Sequence, residues 1–498
     1  MSRVVVIGAG VGGLATAARL AAAGHDVTVC EQAHTVGGKL GVHRRDGFTF
    51  DTGPSLLTMP HVLADTFAAA GASMDGRLDL VPVDPIARYR FADGAQVDVP
   101  TDPQARAAAL DDGLSPGAGR DWARFLERGQ AIWHAVEQPF LRQPVDAAAL
   151  VRRLPDLPTI APGRTLRGLA RSYMADPRLR MMADRYATYA GSDPRRAPAA
   201  LATIPYIESA YGAWYARGGL GTVAHALAAR ARELGATVHT GAEVTAVDTA
   251  GAGVSGTRVS GVRVRRSGQG GTREEWLPAD VVVANADATH LYGGLLTGSR
   301  AARHHRRLTR RTPSLSGFVL LLGVRGNTPG LAHHNVLFPT DYDAEFDALF
   351  GRHPRPVPDP TLYVVRPDDP AAAPVGQEAW FVLANAPVQG RVDWRASGAA
   401  KRYATHLLSV LARRGIDVSN RLVFLETRSP ADLADRTRAV GGAIYGTASH
   451  GPRAAFLRPA NASPINGLHL VGGSAPPGGG LPLVLLSAAI VARQVGPA

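Results

Sequence analysis

Residues 3–31 hold the pattern that most restricts how this chain folds. Val4-Val5-Val6-Ile7 has the character of a short buried strand, and Gly8-Ala9-Gly10-Val11-Gly12-Gly13 follows it without a spacer. A helical run from Leu14 to Ala23 comes next, and Gly24 stops it. His25-Asp26-Val27-Thr28-Val29 reads as a second strand with Glu31 at its end. Strand, glycine turn, helix, strand and acid at this spacing make a βαβ unit that holds a dinucleotide. Gly8 permits the tight turn, Gly10 lets the backbone approach a pyrophosphate, and Gly13 lets helix and strand pack closely. The helix start turns free N–H groups toward the phosphates. Val11 and Gly12 belong to the same turn, and Glu31 is placed to accept hydrogen bonds from ribose hydroxyls.

Composition removes several function classes. The 498 residues are 45% apolar and 19% charged, which is ordinary globular usage and excludes a disordered chain. The single cysteine, Cys30, excludes an intrachain disulfide and a multi-cysteine metal site, and its place between Val29 and Glu31 reads as a small buried filler. His304-His305 and His333-His334 are adjacent pairs, a spacing that does not converge on one metal, so no metal site is expected. No run of membrane-spanning length lacks both charge and helix breakers. The chain opens on the strand rather than on a basic-then-apolar leader, so a cytoplasmic location is expected. The net charge is +12, and Lys39 and Lys401 are the only lysines. No nucleic-acid module accompanies that charge, and nucleic acid is not an expected partner.

A second glycine doublet decides which dinucleotide. Gly37-Gly38-Lys39 begins six residues after Glu31, and this extension resembles the fingerprint of the large FAD-binding family that includes amine oxidases and carotenoid desaturases. Phe50-Asp51-Thr52-Gly53-Pro54-Ser55 matches a segment that the resemblance places beside the flavin ring. Near the other end, Leu468 to Val471 reads as a strand that runs through Gly472-Gly473-Ser474-Ala475-Pro476-Pro477-Gly478-Gly479-Gly480-Leu481-Pro482 into a helix from about Leu483 to Val495. That tail is similar to the C-terminal signature of bacterial-type phytoene desaturases, which implies contact with the flavin and ribityl chain through Gly472, Gly473, Gly479, Gly480, Leu481 and Pro482. One departure is Ala475-Pro476-Pro477, where those enzymes commonly carry Thr-His-Pro; any histidine-dependent step is therefore in question.

The middle of the chain extends the resemblance. Arg185-Tyr186-Ala187-Thr188-Tyr189-Ala190-Gly191-Ser192-Asp193-Pro194 looks like a stretch of hydroxycarotenoid 3,4-desaturases. Ile204-Pro205-Tyr206-Ile207-Glu208 and Gly212-Ala213-Trp214-Tyr215 look like the wider phytoene desaturase family, as do His333-His334-Asn335 and Tyr342-Asp343-Ala344-Glu345-Phe346. In that family the residue at Val244 meets the adenine end of FAD through its backbone. The expected fold is α/β: a Rossmann-like FAD-binding domain of the amine oxidase and phytoene desaturase type, built from residues 1–85, 215–290 and 440–498. An α+β substrate domain, 86–214 and 291–439, is inserted in it.

By this resemblance the protein is an FAD-dependent desaturase that takes hydride and a proton from a long polyene such as a carotenoid, with oxygen or a quinone as electron acceptor. Some members have an Arg-Asp pair before a segment like Arg152-Arg153-Leu154-Pro155-Asp156-Leu157; this chain has Ala148-Ala149 there, so the proton acceptor lies elsewhere or is the flavin. Arg185, Tyr189 and Tyr206 are the candidates for lining the reacting carbons. Residues 186–215 gather Tyr186, Tyr189, Tyr206, Tyr211, Trp214 and Tyr215, which suits either a flat conjugated ligand or an aromatic core. Other readings stay open: a polyene ketolase or isomerase, a dehydrogenase or aromatising enzyme for a polyketide polyene, and a non-catalytic FAD-bound carrier. Arg300, Arg303, Arg306, Arg307, Arg310 and Arg311 form a basic run. It reads either as a reversible contact with an anionic membrane, on the inner face of the cell membrane, or as a solvated arginine face.

Overall fold

The computed structural model describes residues 1–143, 157–251, 257–268, 271–451, 454 and 458–498. Ala148-Ala149 and Arg152 to Asp156 lie outside them. The apolar run of the first strand, Arg3–Ile7, becomes the centre of a five-stranded sheet. Its strands are all parallel, in the spatial order Leu468–Leu470, Val281–Ala284, Arg3–Ile7, Asp26–Cys30, Thr237–His239. Only a strand buried on both faces carries such an unbroken run. Successive side chains alternate between two cores. Val4 and Val6 face the helices Val11–Ala22, Gly221–Glu233 and Leu481–Val495. Val5 and Ile7 face an antiparallel three-stranded sheet, Ala242–Ala250, Arg258–Gly268 and Gly271–Pro278, through Val244, Val247, Val262 and Val264. The last helix begins at Leu481, two residues before its expected start, because Pro482 fits the first turn, where no N–H is needed.

The long excursions between these strands build a second layer. A seven-stranded mixed sheet runs in the order Leu422–Arg428, Ser316–Arg325, Gln377–Ala386, Leu362–Val365, His334–Leu337, Ala87–Arg90, Gln96–Val99. Helices Pro103–Gly113, Ala118–Val136, Leu166–Tyr173 and Pro177–Arg185 pack into a core with Tyr89 and Val97 of the sheet, Phe338 just after its strand His334–Leu337, and Phe346 of helix Tyr342–Phe350. Three of them are capped from the sequence: Asp102, Thr165 and Asp176 accept backbone N–H bonds at the helix starts. The fold is thus α/β, a Rossmann-like parallel sheet carrying an α+β insertion.

Candidate active site and cofactor cradle

One cavity of about 900 Å³ runs from the C-terminal end of the parallel sheet into the inserted layer. Its volume is at the upper end of small-molecule sites. At the sheet end its wall holds Gly8, Gly10, Val11 and Gly12 of the first turn, and Glu31. The second doublet is stitched onto that turn: the Gly37 N–H donates to the Ala9 carbonyl at 2.8 Å, and Gly37, Gly38 and Lys39 also line the cavity. Gly53, Pro54 and Ser55 follow, with Val244 on the meander side. Gly472, Gly473, Gly479, Gly480, Leu481 and Pro482 close the wall from the C-terminal loop. Gly13 stands behind it. A Cβ there would overlap the Gly8 carbonyl oxygen, so glycine is needed for the helix to rest on the turn.

Asn285, which the sequence reading had not singled out, ties the two glycine loops together. Its Nδ2 donates to the Gly8 carbonyl at 3.3 Å. A Cβ on Gly10 would lie 2.7 Å from that Nδ2, and one on Gly472 would lie 2.5 Å from Asn285 Oδ1. The glycines are therefore required by a side chain 277 residues away in sequence from Gly8. The signal was a polar residue placed directly after the buried strand Val281–Ala284.

The charges in this half fit a dinucleotide. Glu31 is buried, and its Oε2 and Oε1 accept the Ala9 and Ala33 N–H groups at 2.7 and 2.9 Å. Burial pushes its pKa up, and those backbone bonds draw it back only in part. Lys39 donates to the Ala443 and Ile444 carbonyls at 3.0 and 2.6 Å. Burial lowers the Lys39 ammonium to about 8. Arg458 donates to the Tyr445 and Gly473 carbonyls at 2.9 and 2.6 Å, and burial lowers it to about 10. A glycine cradle at a helix N-terminus with a buried acid at the end of the second strand fits a flavin adenine dinucleotide, and Lys39 and Arg458 are half-buried cations on the same wall. Cys30 is buried, and burial lifts its thiol to about 11, which makes it inert as a nucleophile.

Beyond Ser55 the wall changes character. Trp133, Val136, Phe140, Leu141, Ile204 and Ile207 form an apolar stretch. Set into it is one polar cage. Arg185, 6% exposed, donates to the Tyr89 hydroxyl at 3.0 Å. Its guanidinium carbon lies 4.9 Å from the Tyr189 ring centroid, 5.5 Å from Tyr363, 5.6 Å from Tyr89 and 5.9 Å from Tyr186. Burial weakens its hold on its proton, and the phenols and Glu208 more than restore it. Glu208, 4% exposed, accepts from the Tyr186 hydroxyl at 2.5 Å and from the Tyr189 hydroxyl at 3.4 Å. The Ser55 hydroxyl meets the Tyr363 hydroxyl at 2.8 Å, which joins the cage to the flavin side of the cavity.

Of the three residues expected at the reacting carbons, Arg185 and Tyr189 line the cavity and Tyr206 does not. Tyr206 sits on helix Thr203–Tyr211, whose Ile204, Ile207 and Glu208 share the cavity face. One residue out of step, Tyr206 packs instead against the core under the parallel sheet and against Gly129. The aromatic window is corrected in the same way. Among its six rings only Tyr189 lines the cavity. Tyr186 and Tyr215 are buried core, and Tyr211 and Trp214 pack against the core from its edge. Glu208 is the residue the sequence reading passed over, quoted within a motif without a role; its signal was a lone acid on the apolar face of a helix.

Comparison with known proteins agrees with this geometry. The model of the flavin containing amine oxidoreductase family matches residues 11–496. A 4,4'-diapolycopene oxygenase of Methylomonas sp is 34% identical, covering 99% of this chain and 98% of that protein. A hydroxyneurosporene desaturase of Rhodobacter capsulatus is 35% identical, covering 99% and 97%. Among solved structures, an oxidoreductase from Methanosarcina mazei superposes with a TM-score of 0.65 at 18% identity, over 99% of each chain, which speaks to the fold alone. The protein is an FAD-dependent oxidoreductase that belongs to the flavin containing amine oxidoreductase family and, within it, to the bacterial phytoene desaturase group of carotenoid desaturases and oxygenases.

Proposed function

We propose that the protein dehydrogenates a long carotenoid polyene, extending its conjugation by one double bond per two-electron step. The observation that carries this reading is a single cavity that joins the glycine cradle to an apolar, aromatic-lined stretch. Bound FAD supplies the two-electron oxidant. The chain's own work is placement and exclusion. Trp133, Val136, Phe140, Ile204 and Ile207 hold an apolar chain and keep water out, while Gly8, Gly10, Gly12, Glu31, Gly37, Gly38, Gly472 and Gly473 hold the dinucleotide. On this reading residues 1–85, 215–290 and 440–498 form the cofactor domain, and 86–214 and 291–439 the substrate domain. Oxygen or a quinone serves as the electron acceptor. Oxygenation is the second reading, favoured by the diapolycopene oxygenase relative. Incubation of the flavoprotein with a polyene, followed by product mass, separates them: loss of two hydrogens supports desaturation, and gain of oxygen overturns it.

A peripheral membrane contact belongs to the same proposal, since polyene lipids reside in bilayers. No helix among the described residues is long and apolar enough to cross a membrane. Helix Ser299–Thr309 turns Ala301 and Leu308 into the core and leaves Arg300, Arg303, Arg306 and Arg307 exposed, with Arg310 just beyond its end. The contact is therefore electrostatic, at roughly 1 kcal/mol per basic residue near an anionic surface. Pelleting with anionic vesicles at low salt and release at high salt support it; equal pelleting with neutral vesicles removes it.

A further inference from the structure

We infer that Glu208 is the proton acceptor of the dehydrogenation, an assignment that rests on the polyene reading above. Taking two hydrogens from adjacent carbons removes one as a hydride equivalent, taken up by the flavin, and one as a proton. The electron pair of the second C–H bond becomes the new carbon–carbon double bond, and that proton goes to a carboxylate oxygen of Glu208.

Elimination around the cavity wall leads to this residue. Among the described residues its carboxylates are Glu31, Glu208, Glu243, Asp287 and Asp432. Glu31 holds the Ala9 and Ala33 N–H groups. Glu243 is paired with Arg265 and Arg438. Asp287 caps Thr289 and His290, and Asp432 holds the Ser429 N–H and hydroxyl. Each of these is committed to backbone groups or to a salt bridge. Glu208 alone is bonded only by two phenols, one of them the long 3.4 Å contact from Tyr189. The other candidate bases fall away. His290 stands among Asp287, Arg438 and Glu243 at the nucleotide end, and Lys39 is spent on two carbonyls. Tyr189, Tyr342, Tyr363 and Tyr445 stay protonated phenols, all pushed upward by burial.

The surroundings tune Glu208 for the task. Burial raises its pKa, and Arg185, the Tyr186 and Tyr189 hydroxyls and Arg106 oppose that rise without cancelling it. Tyr89 and Tyr363 complete the set of titratable groups facing it. The result is a carboxyl group held above the ordinary range, so that its ionised form is a stronger base than an exposed carboxylate, beside an apolar chain. This residue comes from the helix Thr203–Tyr211.

The test uses Glu208→Gln, which keeps the shape and an acceptor for Tyr186. Flavin content and the spectral shift of bound polyene are expected to stay as in the wild type. Anaerobic flavin reduction by polyene is expected to slow by about 100-fold or more, the usual weight of a general base. Glu208→Asp should recover part of the rate. In the wild type, the reduction rate measured from pH 4.5 to 9 should rise through one carboxyl ionisation, and this limb should vanish in Glu208→Gln. A variant within about threefold of wild type overturns the assignment, as does a flat wild-type profile, which serves also where the variant fails to fold. Failure of the wild-type flavin to react with any polyene would instead remove the function on which the assignment rests.

Discussion

Replacing Arg185 with methionine removes a buried charge while keeping most of the stem volume. The guanidinium sits among four tyrosine rings and donates to the Tyr89 hydroxyl at 3.0 Å. It also acts electrostatically on Glu208, which is 4% exposed. Arg185 and Glu208 interact through space rather than by a direct ion pair, so the about 3–5 kcal/mol lost on breaking a buried salt bridge is an upper bound. A thioether against aromatic rings regains roughly 0.3–1.5 kcal/mol. The expected net loss is at most about 4.7 kcal/mol. Adding Glu208→Gln removes the stranded carboxylate, so the double variant should be more stable than Arg185→Met alone, with a coupling of about 1–3 kcal/mol. Urea unfolding of the flavin-loaded proteins at fixed FAD concentration, read by tryptophan fluorescence and by flavin release, measures this cycle. Losses that add to within about 0.5 kcal/mol would show that the two charges are independent and would refute the reasoning.

Other expectations follow from the same geometry. Gly10→Val places a branched side chain where a Cβ already lies 2.7 Å from Asn285 Nδ2, so the purified protein should carry no flavin absorbance; normal occupancy would contradict the cradle. Trp214→Ala should lower the thermal midpoint and leave the product unchanged, because the ring packs at the core edge with its indole N–H on the Tyr211 carbonyl; an altered product would return it to the substrate wall. Asp51 holds the Leu220 and Gly221 N–H groups, and burial raises its carboxyl from 3.8 to about 6. A raised acid favours the folded state at low pH, and this contribution fades as pH climbs through about 6. Asp51→Asn should therefore gain on the wild type in thermal midpoint between pH 4.5 and 7, and parallel midpoints would exclude the effect.

The parts legible in the sequence are those written in one short stretch. Val4 to Glu31 specifies strand, turn, helix and strand through local periodicity and glycine placement, and the structure keeps that order. The Gly472 loop was legible for the same reason, since an apolar helix follows it directly. What was not legible depends on elements brought together from far apart. Ser55 meets Tyr363 across 308 residues, and Asn285 meets Gly8 across 277. Tyr206 was misplaced because the density of aromatic residues carries no phase: on helix Thr203–Tyr211 the cavity takes positions 203, 204, 207 and 208, and the ring at 206 falls on another face. The same phase brings Glu208, an acid in an apolar context, into the wall.

The central claim is that this flavoprotein oxidises a polyene with its own cofactor. Anaerobic mixing of the oxidised, FAD-loaded protein with a carotenoid polyene tests it directly, with the flavin absorbance followed and the polyene recovered for mass analysis. The account predicts bleaching of the flavin, with one polyene two hydrogens lighter for each flavin reduced. A flavin that stays oxidised while the polyene is demonstrably bound would contradict it and leave a carrier of hydrophobic ligands.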